Sequence, residues 1–481
     1  MIPAVNIQEI SAGLSILPAG SKVVAIAGPS TIGPLNEPQA LGMVGDIRNT
    51  FGRGPLAEAA ALHASNGIIP VCCRVAATTA GSATMTSGVT GTAVPTLAAS
   101  PAPIDDLYIR IRFKVGGTRG TAGIQYQISY NGGISEDSYG ATIALGTDVA
   151  ITLPVGEVGT VVVNLGAGTI VAGDYIDVLT TAPAPVANDL TAGYDALARN
   201  GMNWGQLLVA TPMTASLLAA TNTAMTSWIQ TGRRAWWLGN CALPTPSQTM
   251  PQYLTAQRAI FDALDSTYGS VGFGDWWQSS ALTSREQLRP ISYKSSVRIA
   301  SVKEHIDVAQ RTLGSLGTRI LDSKSNVVRY DETTWPGADD ARFMSARRWA
   351  KKTGVFINNP RLLAQSGSMI EFIQHRRVAN LAQSLLDDYF ADALSATILA
   401  DKKTGYILES EAKRLEKNAV TFVMSVLGVG PMVSDFTVVL SRTDQLLTTK
   451  TFTGAARFIP LGYPKTINLD FGFYNPALQV R

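Results

Sequence analysis

The chain reads KVVAIAGPSTIGPLNEP over residues 22–38 and PLAEAAALHASNGIIPVCCRVA over residues 55–76, and these two stretches decide its fold class. The first stretch is an apolar strand pattern that runs into a loop rich in Gly and Pro. The second begins as an alanine-rich helix, in which Pro55 suits the first helical position and Gly67 suits the stop, and ends in the strand pattern CCRVA. Strand, loop, helix and strand in this order predict the start of an α/β fold.

The α/β pattern returns over residues 191–280. Strand patterns GQLLVA, RRAWWL and SVGFG alternate there with helical patterns at residues 214–231 and 251–264. Such alternation predicts a mainly parallel sheet that is covered on both faces. We therefore expect residues 21–77 and 191–366 to form one discontinuous α/β body, with further strands at VRIASV and GVFIN.

The intervening residues 78–190 differ in composition and predict a separate domain. Gly, Ala, Thr, Ser and Val dominate, and turn signals such as NGG at residues 131–133 separate short alternating runs such as LYIRIRFKV and IQYQISY. This pattern is typical of strands and lacks a helical period. We expect an inserted all-β sandwich or barrel that folds independently and projects outward from the body.

Two helical patterns follow the body, at residues 367–400 and 409–427, ahead of a strand-rich tail. We assign residues 367–460 to a C-terminal domain of helices and strands. The predicted fold class is therefore a multidomain α/β (α+β) protein with a mixed-sheet body, an inserted all-β domain and extended terminal β-arms.

Both ends of the chain carry strand patterns, which we interpret as arms over residues 1–20 and 461–481. Apolar and polar residues alternate in PAVNIQEI near the start and in TINLDFGF near the end. A terminal strand can pair with another copy of the chain, because backbone hydrogen bonds give affinity and alternate side chains fill pockets. We interpret the chain as an assembly subunit. The expected inter-subunit arm residues are Val5, Ile7, Glu9, Ile467, Leu469, Phe471 and Phe473.

Composition supports a folded protein with unevenly distributed charge. The chain has 481 residues, of which 46% are hydrophobic, and this is ample for buried cores. A formal net charge of +3 makes a weak case for nucleic-acid binding. Residues 76–190 carry 4 Lys and Arg against 9 Asp and Glu (net −5), whereas residues 285–381 carry 17 against 9 (net +8). Two surfaces of opposite sign are expected.

Cysteine usage and hydropathy bear on the compartment. Cys72, Cys73 and Cys241 have no paired-ligand spacing, so they predict neither a disulfide framework nor a zinc site and favour a reducing compartment. The first residues lack the basic and apolar regions of a signal peptide, and the sequence has no apolar stretch of 18 residues. We expect synthesis in the cytosol without stable membrane insertion.

The sequence offers no strong catalytic motif. GPSTIG, residues 28–33, follows a strand as a phosphate-binding loop would, but it lacks the closing Lys and Ser/Thr, and Pro29 and Pro34 remove backbone donors. The histidines lack metal-ligand spacing; they are His63, His305 and His375. We expect no enzyme activity, no cofactor and no metal site.

Basic residues recur at helical spacing in ARFMSARRWAKKTG: Arg342, Arg347, Arg348, Lys351 and Lys352. A solvated helix face is the ordinary interpretation. A subunit that grips an acidic neighbour would use the same face for steering and register. The last four of these residues are our candidates for a face that meets such a neighbour.

Two tryptophan doublets, at residues 236–237 and 276–277, lie at the ends of predicted strands. Aromatic side chains are enriched both in cores and in the centres of interfaces. We expect at least one indole of each doublet in the core; core packing alone is the favoured interpretation, and a contact surface for the other indole is the alternative.

The N-terminal 75 residues resemble the first domain of contractile-tail sheath proteins of bacteriophages. In that family an arm of the form V-x-I-x-E precedes a strand that ends near G-x-x-x-x-G-P-x-N-x-P. An F-G turn, a helix, an N-G turn and a strand ending in R-V follow. The matching residues here are Val5, Ile7, Glu9, Gly28, Gly33, Pro34, Asn36, Pro38, Phe51, Gly52, Asn66, Gly67, Arg74 and Val75. GVFINNPRLL and the tail FIPLGYPKTINLDFGFYNPAL are also similar to sheath proteins.

The resemblance implies a subunit that polymerises as a helical sleeve around a tail tube and contracts to drive the tube through the host envelope, without hydrolysing nucleotide. It implies contacts with other copies, the tail tube protein, and baseplate and tail terminator proteins, without direct contact to nucleic acid. Four basic residues, Arg347, Arg348, Lys351 and Lys352, would then face the tube. Two alternatives stay open: an α/β enzyme with a small ligand at its strand ends, and another phage structural protein of baseplate or surface-layer type.

Overall fold

The computed structural model describes residues 23–133, 138–244, 248–317, 330–393, 397–444, 446–450 and 453–465. The strands and the alanine-rich helix expected near the start of the chain are confirmed, and a further short helix precedes that helix. Pro55 is its first residue, a position whose N–H has no partner within a helix. The elements up to residue 75 are β1 (Val24–Gly28), β2 (Gln39–Ala40), α1 (Val44–Phe51), α2 (Pro55–Ser65) and β3 (Val71–Arg74).

Residues 82–181 form antiparallel sheets around a hydrophobic core of their own. The larger sheet has the order β10-β9-β7-β15-β4, and Ile109, Ile111 and Ile176 are buried beneath it. The elements of this segment are β4 (Ser82–Gly88), β5 (Thr96–Leu97), β6 (Ala102–Pro103), β7 (Leu107–Val115), β8 (Gly117–Thr118), β9 (Gln125–Ser129), β10 (Ile143–Ala144), β11 (Ala150–Thr152), the single-turn helix α3 (Val155–Val158), β12 (Gly159–Thr160), β13 (Val162–Asn164), β14 (Thr169–Ile170) and β15 (Tyr175–Thr181).

Helices and strands alternate again after residue 186. Thr214 caps one of these helices, since its side chain accepts a hydrogen bond from the backbone N–H of Leu217. The elements are α4 (Ala187–Arg199), β16 (Gln206–Pro212), α5 (Ala215–Gln230), β17 (Trp236–Asn240), α6 (Met250–Phe261), β18 (Gly269–Gly272), β19 (Asp275–Ser279), β20 (Glu286–Pro290) and α7 (Ile291–Ser301).

The remaining part of the chain crosses a unit boundary. The chain divides into two compact units, Met1–Ser384 and Leu385–Arg481. The helix predicted over residues 409–427 has those bounds. The elements after residue 340 are β21 (Ala346–Trp349), β22 (Lys352–Ile357), α8 (Ile373–Ala393), α9 (Glu409–Leu427), β23 (Val433–Leu440), α10 (Leu446–Thr449) and β24 (Gly454–Pro460).

A six-stranded sheet of order β18-β17-β16-β1-β3-β2 lies at the centre of the first unit, and its strands are parallel except for β2. Helices α2 and α7 cover one face, and α4, α5 and α6 cover the other. Successive side chains of a strand point to opposite faces, so Trp236 belongs to one core and Trp237 to the other. Core packing, the favoured interpretation of this doublet, is therefore confirmed, and the contact-surface alternative is wrong, because helices cover both faces of β17.

Two other sequence expectations need correction. VRIASV is the C-terminal half of helix α7, not a strand. Its β-branched Val297 and Ile299 favour strands, but burial of both side chains on the helix outweighs that weak preference. The helix predicted from residue 367 begins at Ile373, because Gly367 has the left-handed φ of 89° and cannot continue a helix.

Residues 82–181 contact the rest of the first unit through β20 and the residue before it. Arg289 on β20 donates to both carboxylate oxygens of Asp105, at 2.8 and 2.6 Å. Tyr108 packs against Leu288, and Arg285 lies over the ring of Tyr130 at 4.4 Å. One strand of the α/β part thus holds the β segment through charge, apolar and cation–π contacts.

Substitution of Arg289 by Met should destabilise the protein by about 3 to 5 kcal/mol near neutral pH, because buried carboxylates lose their positive partner. The measurement is urea unfolding of the full chain. Arg258→Met is the matched control: Arg258 pairs with Asp262 on the surface with 49% of its side chain exposed, and we expect a loss below about 1 kcal/mol. Equal losses in the two variants would contradict a structural role for the buried pair.

Candidate functional site

The predicted arm residues lie outside the described part of the chain. They are Val5, Ile7, Glu9, Ile467, Leu469, Phe471 and Phe473. The described residues end at Lys465, five residues after β24 and within the predicted arm of residues 461–481.

The predicted basic helix face is wrong, because these residues lie on a β-hairpin. Arg347 and Arg348 belong to β21, Lys351 to the turn and Lys352 to β22. Burial of the apolar run at the end of β22 fixes this strand in place. Arg342 has a left-handed φ of 64° and donates to the backbone carbonyls of Leu264 and Asp262. It therefore stabilises the local backbone and does not belong to a helix face.

Arg348 is tied to Asp331. Its Nε donates to one carboxylate oxygen at 2.7 Å, and its backbone N–H donates to the other at 3.1 Å. The backbone N–H of Thr333 donates to the same carboxylate. Burial acts to raise the pKa of Asp331, but the hydrogen bonds from Arg348 and Thr333 outweigh it and hold this pKa below its usual value. Asp331 thus holds both the backbone and the side chain of Arg348 in place.

Trp349 lies between two guanidinium groups. Arg347 stands 3.9 Å from the ring centroid and Arg311 stands 4.4 Å from it, which is within range of cation–π attraction. Lys351 and Lys352 at the end of the hairpin are exposed. The hairpin therefore divides the four candidates into two arginines with defined neighbours and two lysines that face solvent. We call Arg347, Trp349, Arg311, Lys351 and Lys352 the basic tip.

The second unit contains a two-stranded sheet that is covered on one face. Strand β23 alternates, and its Phe436, Val438 and Leu440 are buried. Helix α9 packs on this strand through Leu415, Val423 and similar residues. Arg442 secures the arrangement by pairing with Glu409 at 2.6 Å and with Glu416 at 2.8 Å, both on α9.

The other face of this sheet and the outer edge of β24 are open among the described residues, whereas on β23 the backbone N–H of Leu440 donates to Glu416 on α9 at 2.6 Å. Strand β24 pairs with β23 alone and has mostly exposed residues. Val439 on β23 is 60% exposed and Ile459 on β24 is 58% exposed. A two-stranded sheet is marginally stable by itself, and an exposed edge is a template for a further strand. Among the described residues, the sheet therefore keeps an exposed face and an unpaired outer strand.

A histidine-serine pair resembles a catalytic arrangement but is inaccessible. His63 contacts the backbone oxygen of Ala59 at 2.7 Å and the hydroxyl of Ser296 at 2.8 Å. A carbonyl can only accept, so Nδ1 carries the proton and Nε2 accepts from Ser296. Burial lowers the pKa of His63 to about 4. With 0% exposure of His63, no substrate reaches this pair, and its role is structural.

Neither a metal-binding cluster nor a membrane-spanning helix occurs among the described residues. No group of three or more His, Cys, Asp or Glu side chains in them is arranged to hold a metal ion. None of their helices has the length and hydropathy of a membrane span.

Substitution of Asp331 by Ala should loosen the hairpin and destabilise the protein by about 1 to 3 kcal/mol, because Arg348 and two backbone N–H groups lose their acceptor. The pKa of Asp331 is depressed in the folded state, so its contribution is present above the ordinary carboxyl value and is lost as pH falls through the folded value. Thermal unfolding from about pH 3 to 7 measures both effects. Asp340→Ala, an exposed carboxylate of the same segment, should change little; a matching loss there would contradict the assignment.

Comparisons with known proteins give structural matches. No protein-family model and no curated protein matches the chain. The chain is similar to the sheath tail protein of Desulfitobacterium hafniense, with 12% identity and a TM-score of 0.45 over 95% of this chain and 100% of that chain. It is similar to the sheath tail protein Lin1278 of Listeria innocua, with 10% identity and a TM-score of 0.44 over 93% and 96% of the two chains.

A third match is a chain of the anti-feeding prophage baseplate, with 11% identity and a TM-score of 0.49 over 99% of both chains. The structures to which the chain is similar are thus two sheath tail proteins and a chain of an anti-feeding prophage baseplate.

Proposed function

We propose that this chain is a structural subunit of a contractile phage tail sheath. Copies of the chain polymerise as a helical sleeve around a tail tube, and contraction of the sleeve drives the tube through the host envelope for genome ejection. The observation that carries the proposal is the open β23–β24 sheet, which is followed at once by a C-terminal segment of alternating residues. The subunit is assembled in the host cytoplasm, is located in the virion, and acts without catalysis or a cofactor.

Terminal arms of other copies are the proposed strands that complete this sheet. Ile467, Leu469 and Phe471 in the C-terminal arm lie on one side of an alternating pattern, so an added strand would extend the apolar surface of the exposed face that includes Val439 and Ile459. Six backbone hydrogen bonds at about 0.5 to 1.5 kcal/mol each give about 3 to 9 kcal/mol per added strand before the cost of ordering. Within one chain the sheet already buries one face against α9; the added strand would contribute the link between copies.

The basic tip is the proposed contact with the tail tube protein. Its exposed Lys351 and Lys352 can steer an acidic partner, while the contacts of Arg347 with Trp349 and of Arg348 with Asp331 keep the hairpin ordered. The acidic segment 78–190 would face away from the tube. Baseplate and tail terminator proteins would contact the ends of the sleeve, and no direct contact with nucleic acid is proposed.

Deletion of residues 462–481 should give a folded monomer that forms no sleeves. The deletion begins after Pro460, the last residue of β24, so it removes the arm and leaves the hairpin intact. Electron microscopy of the purified protein scores sleeves and rings, and circular dichroism checks the fold. Sleeves formed by the truncated chain, or its outright unfolding, would contradict the arm assignment.

Two single substitutions in the C-terminal arm test more directly whether it forms a strand with one buried side. Leu469→Asp changes the apolar side of the alternation and should abolish sleeves, whereas Asn468→Asp adds the same charge on the polar side and should be tolerated. Equal effects of the two variants would argue against a strand with one buried face. Discrete baseplate-like rings without sleeves in the unaltered protein would favour the alternative structural role.

Charge reversal of Lys351 and Lys352 to Glu should weaken tube-templated assembly by about tenfold at low salt, with a smaller effect at about 0.5 M salt. The measurement is the yield of sleeves on purified tubes across a salt series. Lys402→Glu with Lys403→Glu is the control pair, since these lysines are also adjacent and exposed but lie in the second unit. Assembly that is unchanged at every salt concentration would mean that the basic tip is only solvated.

A further inference from the structure

Three carboxyl groups and one guanidinium group meet out of solvent where residues 82–181 contact the α/β part of the first unit. Glu58 on α2 is 2% exposed, Asp105 and Asp106 before β7 are 4% and 9% exposed, and Arg289 on β20 is 1% exposed. Arg289 forms its paired hydrogen bonds with Asp105, and its Nη2 lies 3.6 Å from Glu58. Asp106 instead accepts a hydrogen bond from the backbone N–H of Ala182 at 2.7 Å.

The charges in this cluster do not balance. Full ionisation of the three carboxyl groups would place three negative charges around one buried positive charge. Both Nη1 and Nη2 of Arg289 already donate to the carboxylate of Asp105. The half-buried Arg53 adds a weaker attraction for Glu58. Tyr293 on α7 contributes a buried neutral phenol near the same groups. A buried cluster with excess negative charge retains protons, because like charges in a low-dielectric site repel.

Glu58 and Asp106 receive fewer hydrogen bonds that stabilise a negative charge than Asp105, which binds both arms of the Arg289 guanidinium. The hydroxyl of Ser280 donates to Glu58 at 2.9 and 2.8 Å from its two oxygens, and this acts to lower the pKa of Glu58, but burial outweighs it and raises that pKa. Arg289 also contacts the backbone oxygen of Asp106 at 3.3 Å and the side-chain oxygen of Gln287 at 2.5 Å. The guanidinium therefore has no further N–H directed at the carboxylate of Asp106 among the contacts of the described residues.

We propose that the cluster of Glu58, Asp105, Asp106 and Arg289 is a proton-dependent latch. With Glu58 or Asp106 protonated, the latch holds the β segment 82–181 against α2 and β20. With all three carboxyl groups ionised, repulsion among them loosens this contact.

The direction of the pH dependence follows from the buried carboxyl groups. Burial, and next the charge of Asp105, raise the pKa of Asp106 to about 6 from an ordinary 3.8. Burial also raises the pKa of Glu58. A group with a raised folded pKa stabilises the closed state fully below its ordinary pKa and loses that contribution as pH rises through the folded value. The latch is therefore tightest in acid and weakens above about pH 6.

The backbone allows the β segment to respond to such a change. Thr79 and Ala184 exchange backbone hydrogen bonds of 3.0 and 2.9 Å, so the chain enters and leaves the segment at one paired crossing. Ala182, the partner of Asp106, lies two residues from that crossing. Loosening of the cluster leaves this crossing as the main backbone connection, about which the segment can rock.

Hydrogen–deuterium exchange of the full chain tests the latch from about pH 5 to 7.5. Peptides that cover residues 103–109 and 178–186 report the junction, and a peptide from β16 serves as the internal reference. After correction for the intrinsic exchange rate, protection of the junction peptides should fall by about tenfold over this range. This range stays above the depressed pKa of Asp189, which accepts hydrogen bonds beside the crossing.

The variants Asp106→Asn and Glu58→Gln should each reduce the fall in protection, because each removes one titrating group while keeping an acceptor oxygen. Asp148→Asn, an exposed acid of the same segment, should behave as the unaltered protein. Protection that does not change with pH in the unaltered protein would overturn the proposal. The proposal would also be overturned if both junction variants lost as much protection with pH as the unaltered protein does. It would equally be overturned if Asp148→Asn reduced the fall in protection as much as the junction variants do. The two junction variants are independent, so misfolding of one leaves the other as a test.

Discussion

A guanidinium group at 1% exposure needs negative charge and acceptor atoms around it, and this requirement at Arg289 brings three parts of the chain together. Helix α2 supplies Glu58, the approach to β7 supplies Asp105, and β20 supplies Arg289 itself. A buried ion cluster is weak evidence for stability, because well-packed apolar groups often do as well. The specific contribution of this cluster is to fix the position of β7 relative to β20. A shift of β7 by one residue would turn Asp105 away and leave the guanidinium without its paired acceptor.

Local signals in the sequence were sufficient for many elements of the fold. The strand after residue 22, the helix from Pro55 and the helix over residues 409–427 are set by residues a few positions apart, and the structure contains them. Elements that depend on distant burial were not predictable in the same way. The β-branched residues of α7 indicate a strand until the covering sheet is known, and nothing local shows that helices enclose both Trp236 and Trp237.

The candidate site also combines features that local sequence shows with features that depend on distant residues. The four basic residues are visible in the sequence, but their spacing fits a hairpin as well as a helix, and only the pairing of β21 with β22 decides. Trp349 and Arg311 are separated by 38 positions, so their contact could not be inferred; a tryptophan directly after two arginines was the available signal. Asp331 likewise looks like any solvated acid until Arg348 is placed beside it. The exposure of the β23–β24 sheet depends on which residues pair and pack across the second unit, and a single sequence does not contain that information.

The paired crossing at Thr79 and Ala184 has a consequence for how such chains can diversify. Because both ends of the β segment meet at one point, a foreign domain with neighbouring termini could replace it without lengthening any strand of the central sheet. The crossing is thus a graft point, suited to the exchange of surface modules or to the display of a cargo. A graft that places one carboxylate opposite Arg289 would inherit the buried charge pair, and one that does not would need an apolar residue at that position.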